Sequence, residues 1–67
     1  MDKALLRSIM VLHGDTNKSL AEFIGISERS FNDKINENNT EFKQSEIVAI
    51  RRRYNLTDEQ VILIFFN

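Results

Sequence analysis

The sequence predicts an all-α fold of five short helices in a single small domain. Three observations carry that expectation. Apolar residues recur at three- and four-residue spacing, no proline interrupts the chain, and the two glycines, Gly14 and Gly25, both fall beside helix ends. With 67 residues, 42% of them apolar, the chain suffices for one compact core.

The first helix is expected over about residues 2–12, with Leu5, Ile9 and Leu12 inward, Leu6 or Met10 partly so, and Lys3 and Arg7 on its polar side. Thr16 or Asn17 opens the second, which ends at Ile24 and sets Leu20, Ala21 and Ile24 on one face. Ala21 is small enough to let another helix approach. Gly25 permits the left-handed conformation that stops a helix without a side-chain clash. Ser27 can cap the third helix, about residues 28–36, while Ile26 and Phe31 have staple spacing and Phe31 and Ile35 form its inward pair. Asn36–Thr40 is a polar connection. The fourth helix is expected over about residues 44–53, burying Ile47, Ile50 and the following Tyr54, with Phe42 plugging the core from the loop. The fifth has the clearest start: Thr57 and Gln60 form a capping box, Leu56 and Val61 a staple, and Asp58 and Glu59 put negative charge near the helix N-terminus.

Chemistry by a resident cofactor or metal is not expected. There is no cysteine, and the only histidine, His13, reads as an ordinary surface or helix-end residue. No nucleophile–base set, Gly-rich phosphate loop or paired-carboxylate motif stands out, so catalysis is not expected. The opening segment, Met1–Arg7, carries charges where an export signal needs an apolar run, and the longest apolar run, Val61–Phe66, is too short to span a bilayer. A cytoplasmic protein without membrane insertion is expected.

The segment Ser19–Phe31 describes two helices meeting at a sharp turn, a unit suited to carry a DNA-reading helix. Together with Phe42, Ser45-Glu46-Ile47 and Asn55–Gln60, it resembles the Cro/repressor-type helix-turn-helix family of phage and bacterial regulators. The resemblance covers most of the chain. It implies a lambda-repressor-like domain in which the second and third helices form the helix-turn-helix and bind double-stranded DNA. It puts Asn17 where the motif's first residue touches phosphate, and Ser27, Glu28, Arg29, Asn32, Asp33 and Asn36 on the recognition helix's outward positions. One departure is Lys34, which stands where many members bury an aliphatic side chain; Ile35 would then take that role.

Side-chain chemistry selects readers within that set. Arg29 can donate to guanine O6 and N7, Asn32 can pair with adenine N6 and N7, and Glu28 can accept from cytosine N4 or instead orient Arg29. Ser27 reads as a helix cap before a base contact, and Asp33 as a surface charge or side-chain partner. Lys18, Lys34 and Lys43 are candidates to flank the reading helix, Lys34 by reaching phosphate. The net charge of −1 makes the distribution of charge, not its sum, the relevant quantity. Arg51-Arg52-Arg53 is the densest positive run, either a solvated helix end or a clamp for phosphate or an acidic partner.

The terminal helix, within residues 56–67, has more apolar surface than one small core can cover. Val61, Ile64 and Phe65 are expected to complete the core. Ile62, Leu63 and Phe66 then stay partly exposed or form a homodimer contact, which would set two reading helices in successive major grooves. A strand is the alternative for this segment, but the Thr57/Gln60 box favours helix. Two function classes follow: a sequence-specific transcriptional regulator, repressor-like and of phage or prophage type, or a protein-interaction module that modulates a repressor or acts as an antitoxin-like partner.

Overall fold

In the computed structural model, which describes residues 1–67, the chain forms five helices and no strand: α1 (Lys3–Leu12), α2 (Asn17–Ile24), α3 (Glu28–Ile35), α4 (Gln44–Tyr54) and α5 (Asp58–Phe65). Local hydrogen bonds account for most of the boundaries. Asp2, Thr16, Ser27 and Thr57 each accept a backbone N–H three residues on, satisfying donors that the first helical turn leaves unpaired. The Thr57/Gln60 box forms as expected, and Thr16 has a second reciprocal partner in Ser19.

Gly25 ends α2 at φ +81°, a left-handed conformation available to it at little cost. The three residues Gly25–Ser27 then separate α2 from α3, and Ile26 and Phe31 both contribute to the core side of that junction. Asn55 ends α4 in the same left-handed region, which asparagine tolerates better than most residues.

The core is built by Leu6 and Met10 of α1, Leu20 and Ala21 of α2, Phe31 and Ile35 of α3, Ile50 and Tyr54 of α4, and Val61 and Ile64 of α5. Leu56 joins them from the α4–α5 connection, and Phe42 from the loop before α4. Phe42 meets Phe31 and Phe65 edge to face, at ring-centroid distances of 5.6 and 5.7 Å. The Asp2 N–H donates to the Ile64 carbonyl at 2.8 Å and ties the start of α1 to the end of α5.

The inward face of α1 differs from expectation. Leu6 and Met10 are buried, Leu5 and Ile9 half-buried, and Leu12 is 82% exposed. Leu5/Ile9 and Leu6/Met10 are equivalent i,i+4 pairs, so periodicity does not choose between the two stripes; packing into the shared core does. In α4, Ile50 and Tyr54 are buried as expected, whereas Ile47 is only half-buried and the neighbouring Glu46 goes inside. In α5, Val61, Ile64 and Phe65 turn inward and Ile62, Leu63 and Phe66 are exposed, the division expected for a helix. No helix is long and apolar enough to cross a membrane.

Candidate nucleic-acid interface

The rotation of α3 follows from its anchors. Phe31 and Ile35 are essentially inaccessible, which turns Arg29, Asn32, Asp33 and Asn36, spaced i, i+3, i+4 and i+7, onto the opposite stripe. Glu28 and Arg29 are exposed in the first turn; Asn32 and Asp33 are half-exposed; Asn36 is exposed at the C-terminal end. Arg29 makes no ion pair within the chain and keeps its guanidinium donors for another partner. Ser27 accepts the Ser30 N–H at 3.1 Å, and its hydroxyl donates to Ser30 Oγ, so it serves the helix as a cap.

The second helix contributes to the same face. Asn17, the first residue of α2, donates from Nδ2 to Asn32 Oδ1 at 2.9 Å. That bond joins residues 15 positions apart, and neither helix pattern alone reveals it. Lys18 is exposed beside Asn17, and Lys43 is exposed at the N-cap position of α4.

Lys34 is a correction. It is 8% exposed, and its ammonium donates to both carboxylate oxygens of Glu46 at 2.7 and 3.0 Å, so it is not free to reach phosphate from the outer face of α3. Both Lys34 and Ile35 go inside. Glu46 also accepts the Lys43 backbone N–H at 2.8 Å, half of a capping box at the start of α4. Burial raises the Glu46 carboxyl, but the Lys34 and Lys43 hydrogen bonds outweigh it and hold the group below the usual glutamate range. The sequence signal was present in Lys34 at an otherwise apolar position and Glu46 at the start of a helix, but their pairing requires α3 to lie against α4.

Lys3 was not singled out as a site residue, yet its ammonium donates to Asn36 Oδ1 at 3.1 Å and brings a cation to the C-terminal end of α3. Its signal was its position with Arg7 on the polar side of α1.

The arginine run divides into three environments. Arg51 pairs with Asp58 at the α4–α5 junction, and Arg52 is exposed without an ion pair. Arg53 makes two 2.8 Å hydrogen bonds to the Asp15 carboxylate and lies 4.4 Å from the centroid of the Phe23 ring. Tyr54 also donates to Asp15, at 2.6 Å, as does Ser19 at 2.8 Å. The Arg53 hydrogen bond is the main cause that holds the Asp15 carboxyl well below the usual range, and it wins over the opposing effect of burial. This cluster fastens the α1–α2 connection and the N-terminal turn of α2 to the end of α4. His13 lies beside it, its ring tilted by 41° to that of Tyr54 at 4.9 Å between centroids.

The second candidate surface is apolar. Ile62, Leu63 and Phe66 are 56%, 42% and 68% exposed, and Phe66 borders an open groove with Phe42, Ile47, Val48, Val61 and Phe65. Comparison of the chain with protein-family models, curated proteins and solved structures finds no match.

Proposed function

We propose that this chain is a sequence-specific double-stranded-DNA-binding transcriptional regulator, repressor-like and cytoplasmic, in which α2 and α3 act as a helix-turn-helix and catalysis plays no part. The observation that carries the reading is the outer stripe of α3. Arg29 stands there unpaired and exposed, three residues from an Asn32 already oriented by α2, on a helix whose rotation Phe31 and Ile35 fix. Arg29 supplies the guanine-reading fork, Asn32 the adenine-reading one, and Glu28 an acceptor for cytosine N4 or an orienting partner for Arg29. Asn17 borders the stripe through its bond to Asn32 and Lys3 meets Asn36 at its end, and these two together with the exposed Lys18 and Lys43 are the proposed phosphate contacts. The exposed Ile62, Leu63 and Phe66 fit a homodimer contact that pairs two reading helices on a near-palindromic site.

The test is selection of binding sites by the purified protein, followed by titration of Arg29→Ala and Asn32→Ala on the best site at one salt concentration. Each change should weaken binding by about 1–3 kcal/mol and relax the preference at its own base pair. Wild type and both variants binding alike would refute the assignment.

Two observations favour a second reading. The net charge of −1 and the exposed apolar end of α5 suit a protein-interaction module that modulates a repressor or acts as an antitoxin-like partner. A stoichiometric protein complex, lost on changing Leu63, with no DNA sequence preference would select it.

A further inference from the structure

An apolar groove holds a protein segment when it offers hydrophobic surface to bury and, at its edge, polar groups that match the occupant. Where the α3–α4 loop, residues 36–43, meets α4 and α5, an open groove of about 540 Å³ is walled by Phe42, Ile47, Val48, Val61, Phe65 and Phe66. Val48 and Phe66 are 39% and 68% exposed, so the core leaves part of this wall uncovered. The charges along the groove are matched within the chain with one exception. Lys34 pairs with Glu46, Arg51 with Asp58, and Glu37 with the Met1 ammonium, whereas Glu41 is exposed and has no ion pair. The position of Glu41 is set by its neighbour, because Phe42 is buried and meets Phe31 and Phe65 edge to face. Glu37 and Glu41 also border, with Asn39 and Thr40, a wholly polar notch that adjoins the groove. An aromatic wall thus leads to an edge with one uncompensated negative charge.

Two occupants match this edge poorly. Phosphate carries the same sign as Glu41. The α5 end of a second copy supplies apolar side chains but has no basic residue in its last turn, so it would leave Glu41 without a counter-charge. The groove also has no strand edge to which an extended peptide could add, since the chain holds only helices.

We propose that the groove docks a helical segment of a partner protein that carries an apolar ridge at i, i+3 or i+4 spacing and a Lys or Arg beside it, the ridge against Val48, Phe65 and Phe66 and the cation at Glu41. The groove contains no residue of the α3 outer stripe and shares only Phe66 with the homodimer contact, so this inference stands apart from the DNA reading.

The experiment selects random peptides of about 16 residues, some four helical turns, against the purified chain by phage display and measures their affinities by fluorescence anisotropy. Enriched peptides should show apolar residues at helical spacing with Lys or Arg favoured over Asp and Glu. Glu41→Lys should weaken them about three- to tenfold at low salt and less at high salt. Glu22→Lys, the same charge change at an exposed residue of α2 outside the groove, should leave affinity within about twofold. Val48→Gln removes apolar contact without changing charge and should weaken binding equally at both salts. All three positions are exposed, and circular dichroism checks that each variant keeps its helices.

Failure to enrich any peptide, enrichment of acidic or uncharged ones, or equal affinity of basic peptides for wild type and Glu41→Lys would overturn the inference. A wild-type dimer that Val48→Gln dissociates would also overturn it and make a second copy the occupant.

Discussion

Replacing Lys34 with methionine isolates the cost of the buried ion pair, because methionine fills much of the volume of the lysine stem and removes only the ammonium. Lys34 and Glu46 side chains are 10% and 7% exposed, so water cannot replace the lost partner, and Glu46 keeps only the Lys43 N–H. Stranding a carboxylate in this way costs about 3–5 kcal/mol. At about 0.05–0.15 kcal/mol per residue, the whole domain holds roughly 3–10 kcal/mol, so Lys34→Met should lie near the edge of folding at 25 °C. Adding Glu46→Gln removes the stranded charge while retaining an oxygen for the Lys43 N–H, and should restore about 2 kcal/mol. Urea denaturation followed by circular dichroism at pH 7, with equal m-values, gives both numbers. Glu46 is held below its ordinary value in the wild type, so its stabilising contribution is present above the usual glutamate range and is lost as pH falls through the folded value. In Lys34→Met, burial without the ammonium raises that carboxyl instead, and the gap from wild type should narrow on acidification. A loss below about 1 kcal/mol in Lys34→Met, or no recovery on adding Glu46→Gln, would refute a stabilising role for this pair.

Three further outcomes follow from other parts of the molecule. Asp15→Asn should cost about 2–3 kcal/mol by weakening charge-assisted bonds to Arg53 and Tyr54, measured as a shift of the urea midpoint. Because the Asp15 carboxyl is depressed, its contribution is present above the ordinary aspartate range and lost below it; stability of the variant should therefore fall less steeply under acid than that of wild type. Asp33→Asn removes a negative charge from the outer stripe of α3 and should strengthen DNA binding about two- to fivefold across all sequences at low salt; unchanged affinity there would place Asp33 away from the duplex. Leu63→Lys should shift a wild-type dimer toward a folded, helical monomer in light scattering at micromolar concentrations and weaken a two-half-site operator more than a half-site; an equally stable dimer would exclude this surface.

The local elements of this chain were legible in its sequence because their signals act over three to five residues. Ser27 and Thr57 cap the helices that follow them, Gly25 stops α2, and Phe31 and Ile35 alone suffice to orient α3, so the membership of its outer stripe was readable in advance. The split of α5 into a buried Val61/Ile64 side and an exposed Ile62/Leu63/Phe66 side was readable for the same reason. Tertiary packing decided what local spacing leaves degenerate or unspecified. It chose Leu6 and Met10 over Leu5 and Ile9 on a helix with two equivalent apolar stripes. It took Lys34 from phosphate and gave it to Glu46, 12 residues away, and paired the still exposed Arg53 with Asp15, 38 residues away. It also joined Asn17 to Asn32. A hydrogen bond or ion pair needs its two groups within about 3 Å, and for residues on different helices that distance is set by how the helices pack against the core.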